Sequence, residues 1–283
     1  MDTIEAVAFC GSSNIVNALE LTTQHPLLQA IKVPWVSYAK RGGHLKQFDA
    51  RKCSHPAKGK NKCLADQILQ CREKSPPDTL IIISVSANGY DYSSDKMPWR
   101  RFCMAYIHFL LWAKIVIDIR RIVVIEPFVR GPYRYSPPTY KDWMSQKKEF
   151  EALGRKIRHM GATYVPNKSR SFKDPNALYQ INKNNQSDFI HLSKNALIEL
   201  QAMLGASYLY CKNRGKFPNP IQFHVIIDHQ EGCECNWCSK SREFMNQRID
   251  ESDCMEINLE SPEGTMQIDA SIIQNDVDME ESN

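Results

Sequence analysis

The stretch at residues 79–85, TLIIISV, decides the fold class. It is a continuous β-branched and aliphatic run without polar alternation, which is typical of a strand buried on both faces of a parallel sheet. Similar apolar runs occur at 6–10 and 121–126. The segments with helical spacing that separate and follow these runs lie at 14–21, 64–72, 101–117 and 140–160. Strands that alternate with helices predict βαβ units with right-handed crossovers, and therefore an α/β domain.

Two shorter strands are predicted at 33–38 and 162–165, and a polar loop is predicted at 166–187. Ser193 then begins a final helix as its N-terminal cap. In a parallel α/β sheet the functional groups lie beyond the carboxyl ends of the strands. The turns that follow the predicted strands are therefore the places to search for a site.

Five residues in these places fit the requirements of acyl transfer, which needs a serine nucleophile, a histidine base and an orienting carboxylate. Ser13 lies where the first strand turns into a helix, whose N-terminal amides favour negative charge. Asp188 and His191 precede the last helix, in a predicted loop or first helical turn where residues three apart can enter one cleft. Gly43 and Asn88 each follow a strand and can donate an amide N–H to an oxyanion.

The order of these blocks resembles the SGNH (GDSL-type) hydrolases. That family has a nucleophilic serine after its first strand, an oxyanion glycine after the second, an oxyanion asparagine after the third and an Asp-x-x-His pair before the last helix. The resemblance implies a three-layer, flavodoxin-like parallel sheet with helices on both faces. It also implies a triad of Ser13, His191 and Asp188, and an oxyanion hole formed by the Ser13 and Gly43 N–H groups and the Asn88 side chain.

The resemblance covers residues 5–210 and differs from the family pattern at two places. Ser12 stands where the family carries an aspartate before the nucleophile, and the usual Gly-Gly-Asn-Asp block reads Ser86-Ala87-Asn88-Gly89. The implied mechanism is an acyl-enzyme on Ser13 with His191 as base, and it requires no cofactor or metal. The implied activity is that of a serine esterase or deacylase acting on a small acyl ester, such as an O-acetyl group.

The charge is distributed unevenly along the chain. The formal net charge of +4 comes from 36 Lys and Arg and 32 Asp and Glu, yet residues 250–283 contain 11 acids and no Lys or Arg. Residues 1–249 therefore carry about +15. We expect an SGNH hydrolase-like domain over 1–211, a basic and cysteine-rich extension over 212–248, and an acidic, disordered tail over 249–283.

The basic body leaves a second function open. A non-catalytic or weakly catalytic SGNH-like domain, as in retroelement proteins, could bind nucleic acid or an acidic protein through its positive surface. The densest basic stretches are 58–62 and 212–216, and the remaining bases are scattered. A binding site for phosphates requires charge that is concentrated on one face.

Ten cysteines without a secretory signal or a membrane-spanning stretch predict reduced thiols and a cytoplasmic or nuclear location. Four of the soft ligand groups lie close together in sequence and could hold zinc. They are His229, Cys233, Cys235 and Cys238. Because a second, separated ligand pair is missing from this cluster, a metal-free cysteine-rich loop is the favoured interpretation.

Overall fold

The computed structural model describes residues 3–48, 63–87, 98–130, 139–167, 178–181, 187–213, 217–218 and 254–255. Its centre is a parallel sheet of five strands in the order β2-β1-β3-β4-β5. The strands are β1 (Ala6–Gly11), β2 (Trp35–Ser37), β3 (Thr79–Ser84), β4 (Ile122–Ile125) and β5 (Thr163–Val165). A strand order of 2-1-3-4-5 is that of flavodoxin-like sheets, so the predicted α/β fold class is confirmed.

Helices cover both faces of this sheet. In the described part of the chain they are α1 (Ser13–Leu19), α2 (Pro26–Gln29), α3 (Leu64–Lys74), α4 (Pro98–Val116), α5 (Tyr140–His159) and α6 (Lys194–Lys212). One apolar core joins α3, α4 and α5 to the sheet, and the other joins α1, α2 and α6 to its opposite face. The predicted arrangement of three layers is therefore confirmed.

The strand β3 shows why the sequence produces three layers. All six of its residues are buried. Because successive side chains of a strand point to opposite faces, Ile81 and Ile83 pack in the α3–α5 core while Leu80 and Ile82 pack in the α1–α2–α6 core. A strand that is covered on both faces needs apolar residues along its middle, as residues 80–83 are.

The predicted polar loop at 166–187 is only partly correct. It includes the strand β6 (Tyr179–Ile181), which pairs antiparallel with β7 (Ser187–Leu192). Asp188 and His191 therefore lie on a strand, and the prediction of a loop or first helical turn for them was wrong. The pairing joins two segments with no tight turn signal between them, so local pattern does not reveal it. The cap at Ser193 is confirmed, since its side chain accepts a hydrogen bond from the Ala196 N–H at 3.2 Å.

Little of the expected C-terminal parts lies within the described residues. The strands β8 (Phe217–Pro218) and β9 (Cys254–Met255) pair antiparallel and join the expected extension to the expected tail. The zinc candidates His229, Cys233, Cys235 and Cys238 lie outside the described residues. The three domain boundaries remain predictions. In the described ranges, every helix is too short or too polar to cross a bilayer.

Candidate active site

The turn from β1 into α1 is built around Gly11. Its φ of 149° is rare for residues with a side chain, and a Cβ at this position would lie 1.9 Å from the Ser84 carbonyl oxygen. Gln67, fully buried on α3, accepts from the Gly11 N–H at 2.7 Å and donates to its carbonyl at 3.0 Å. These contacts fix a sharp turn, after which Ser12 occupies the N-cap position of α1 without a capping hydrogen bond and Ser13 begins the helix. Ser13 is 6% exposed.

Ser12 connects this turn to the segment after β3. Its Oγ lies 2.7 Å from the Ser86 Oγ and accepts from the Ser86 N–H at 3.3 Å. Both serines are buried. Both also stand where the family pattern has other residues, an aspartate at position 12 and a glycine at position 86. The two departures therefore contact each other, and each supplies a partner for the other's polar group.

The loop after β2 reaches the same turn. Lys40 donates its N–H to the Gly11 carbonyl at 3.2 Å. A Cβ at Gly43 would lie 2.2 Å from that same oxygen, so only glycine allows this close approach. The Gly43 N–H donates to the Lys40 carbonyl at 2.8 Å and closes the turn. Its use as an oxyanion donor requires that this hydrogen bond be shared or exchanged.

The segment after β4 completes the edge of the sheet. Arg130, 6% exposed, donates from Nη1 to the Ala87 carbonyl at 2.9 Å. Its own N–H and carbonyl bind the side chain of Gln146, fully buried on α5, at 3.0 and 2.6 Å. Tyr179 of β6 donates its hydroxyl to the Val129 carbonyl. Ala87 is the last described residue before Asn88, which lies outside the described residues.

His191 lies near the end of β7, which contacts both α1 and α6. Its side chain is partly buried and the following residue, Leu192, is fully buried. Among the described residues, the hydrogen bonds do not include one between Ser13 and His191. Asp188 lies on the same strand. The expectation from the sequence, in which residues three apart in a loop or helical turn enter one cleft, therefore does not apply to residues of a strand.

The thiol nearest to the turn is not a competing nucleophile. Cys10 precedes Gly11 and is fully buried. Desolvation, with a smaller effect of Cys71, raises the pKa of Cys10 well above its ordinary value, so the thiol is neutral at pH 7. Desolvation also raises the pKa of Cys71 to about 11. Among the described side chains, no group of three or more His, Cys, Asp or Glu is arranged to hold a metal ion.

Three of the residues that build this edge were not identified from the sequence: Gln67, Arg130 and Gln146. Ser86 was identified only as a departure from the family pattern. The two glutamines could have been identified from the sequence, because each occupies a position in the apolar stripe of its helix. Gln67 precedes Ile68 and Cys71, and Gln146 precedes Phe150. A buried polar side chain needs hydrogen-bond partners, so such a position marks a specific contact.

Comparison with solved structures finds chains that resemble this one at low identity. The chain resembles a lipase/acylhydrolase from Enterococcus faecalis (TM-score 0.43, 12% identity, covering 72% of this chain and 95% of that one). It also resembles a GDSL-like lipase from Bacteroides thetaiotaomicron (TM-score 0.45, 10% identity, 75% and 92% covered). A third is a family two carbohydrate esterase from Clostridium thermocellum (TM-score 0.42, 11% identity, 74% and 64% covered). No family model and no curated protein matches.

At these identities and TM-scores the likenesses carry no argument about the chain by themselves. The stronger observations are the 2-1-3-4-5 sheet order and the meeting of the segments after β1, β2, β3 and β4 at its carboxyl edge. They give the chain a flavodoxin-like α/β fold, which is the fold class that the resemblance in sequence implies.

Proposed function

We propose that the protein is a serine esterase or deacylase that cleaves a small acyl ester, such as an O-acetyl group. One observation carries the proposal. The turn that presents Ser13, the loop that carries Gly43 and the segment that leads into Asn88 are bonded to one another at the carboxyl edge of the sheet. The strand of His191 contacts the helix that Ser13 begins.

In the proposed mechanism, Ser13 Oγ attacks the ester carbonyl while His191 removes its proton. Asp188 orients the imidazole and stabilises the imidazolium that forms. The protonated His191 then gives its proton to the leaving alcohol, and an acyl-enzyme remains on Ser13. Water, deprotonated by His191, attacks this ester, and the acid leaves with regeneration of the serine. We expect Ser13 and His191 to approach within hydrogen-bond distance when the ester binds, since catalytic hydrogen bonds commonly tighten only when substrate is bound.

The oxyanion is proposed to bind the Ser13 N–H, the Gly43 N–H and the Asn88 side-chain amide. Three features of the described residues support this assignment. Ser13 lies at the first position of α1, where backbone N–H groups have no partner within the helix. Gly43 packs closely against the Gly11 turn that leads into Ser13, and its N–H would have to exchange the Lys40 carbonyl for the oxyanion. Ala87, which precedes Asn88, is fixed by Arg130.

The test is steady-state hydrolysis of p-nitrophenyl acetate by the full chain. We expect Ser13→Ala and His191→Ala to lower kcat by about a thousandfold or more, because each removes a member of one reacting unit. The double variant should lose no more than either single variant does. Equal hydrolysis by wild type and Ser13→Ala would refute the proposal.

Two exposed residues supply matched controls. Ser37 on β2 and His159 at the end of α5 are exposed and lie outside the proposed site. Ser37→Ala and His159→Ala should keep the wild-type kcat. Thermal unfolding of every variant separates loss of chemistry from loss of folded protein.

A further inference from the structure

The segment from Ser84 to Ala87, which precedes Asn88, is hydrogen-bonded to the segment after β1 and to the segment after β4. From the β1 side, Ser12 Oγ bonds both the Oγ and the N–H of Ser86, at 2.7 and 3.3 Å. From the β4 side, the Arg130 guanidinium bonds the Ala87 carbonyl at 2.9 Å. The three residue side chains concerned are all at least nine-tenths buried.

The hydrogen bonding of the Ser12 side chain is unusual for a residue at a helix N-cap. A serine that caps a helix ordinarily accepts a hydrogen bond from the backbone N–H two or three residues later. Ser12 makes no such bond to its own helix, and its hydroxyl binds Ser86 instead. The side chain therefore joins the nucleophile turn to the neighbouring strand end, and it does so directly beside Ser13.

The backbone of Arg130, whose side chain bonds Ala87, is itself fixed by hydrogen bonds. The fully buried amide of Gln146 binds both backbone groups of Arg130, at 3.0 and 2.6 Å. The Val129 carbonyl receives the Tyr179 hydroxyl. A guanidinium in such a buried place requires acceptors in fixed directions. Its bond to the Ala87 carbonyl therefore fixes the end of the described segment that follows β3.

We propose that Ser12 and Arg130 are positioning residues of the active site, which fix the segment of Ser86 and Ala87 relative to Ser13. This inference rests on the proposed esterase function. An oxyanion donor works only when it lies within hydrogen-bond distance of the developing charge, and a displacement of about 1 Å can lower the rate about a hundredfold. Both side chains are buried and bond the segment of Ser86 and Ala87, so their loss should lower kcat and leave KM nearly unchanged.

The serine contact is tested by a double-mutant cycle on p-nitrophenyl acetate hydrolysis. Ser12→Ala and Ser86→Ala should each lower kcat about tenfold with KM within about twofold. The double variant should resemble either single variant, since both changes remove the same contact. Independent effects that multiply in the double variant would contradict the contact's role. Thermal unfolding of the four proteins reports whether each is folded.

The arginine contact is tested by two replacements. Arg130→Lys keeps one charged donor, and Arg130→Met keeps only the length of the side chain. We expect kcat to fall about tenfold for the lysine variant and about a hundredfold for the methionine variant, because the Ala87 carbonyl loses its fixed partner. Arg155→Met, at an exposed position of α5, is the matched control and should keep the wild-type kcat.

The possible failures are distinguishable. If wild type hydrolyses the ester through Ser13 while folded Ser12→Ala and Arg130→Lys keep full kcat, the positioning roles are refuted and the proposed function stands. If wild type neither hydrolyses the ester nor is labelled by a fluorophosphonate at Ser13, the proposed function and this inference both fall. If Arg130→Met does not fold, Arg130→Lys and the serine cycle still decide.

Discussion

At the scale of single residues, buried polar side chains make the specific contacts of this molecule. Gln67 and Gln146 each bind the N–H and the carbonyl of one residue at the carboxyl edge of the sheet. An amide can do this because it carries both a donor and an acceptor. Gln201 acts similarly on α6, where it accepts from the His25 N–H at 2.6 Å and donates to the Ala18 carbonyl at 2.6 Å.

We expect His25 to make the stability of the folded protein depend on pH. Its Nδ1 caps α2 by accepting from the Leu27 N–H at 3.1 Å, and desolvation lowers its pKa to about 4. The folded-state pKa lies below the unfolded one, so the unfolded chain binds the proton first as pH falls. We therefore expect the contribution of neutral His25 to be present near pH 7 and to be lost progressively from about pH 6.5 to about pH 4.

The measurement is urea unfolding of wild type and His25→Asn at pH 7 and pH 5. Asparagine keeps a side-chain oxygen that can cap α2 but does not titrate. The free energy of unfolding should fall less between these two pH values in His25→Asn than in wild type. An equal fall in both proteins would show that His25 is not the titrating group.

At the scale of elements, close packing of α2 on α6 fixes the layer behind Ser13. Gly205 lies at the crossing, and a Cβ there would lie 2.1 Å from the Leu27 carbonyl oxygen. We expect Gly205→Ala to lower the free energy of unfolding by about 1–3 kcal/mol, because the clash is with backbone that cannot rotate away. The cost of this clash outweighs the gain in helix propensity of about 1 kcal/mol that alanine has over glycine.

Chemical denaturation of the folded protein checks this prediction. Asn195→Ala, at an exposed position of the same helix, serves as the control for helix propensity and should be neutral or slightly stabilising. A Gly205→Ala variant as stable as this control would contradict the packing of α2 on α6.

The elements themselves differ in how far sequence could predict them. β1, β3 and β4 were predictable because strands covered on both faces need continuous apolar runs. α5 was predictable from its amphipathic spacing and ends at His159, close to Gly161, whose φ is 93°. β6 and β7 were not, because their pairing depends on contacts between separate segments rather than on local periodicity.

At the scale of the whole molecule, the sequence predicted which segments meet but not what joins them. The order of the strands places the turns after β1, β2 and β3 at one edge, so Ser13 and Gly43 could be assigned to a common region. The hydrogen bonds of Ser12 and Arg130 could not be predicted, since they depend on side-chain directions across neighbouring strands. The triad and the substrate remain proposals for the experiments above.

The most direct test of the central claim is the site of covalent labelling by a fluorophosphonate. The intact chain would be labelled, digested with trypsin and analysed by fragmentation of the peptide that ends at Lys32, the first tryptic site in the sequence. We predict one adduct per chain, on Ser13 rather than on the neighbouring Ser12. An unlabelled chain, or an adduct on another residue that persists unchanged in Ser13→Ala, would contradict the assignment of Ser13 as the nucleophile.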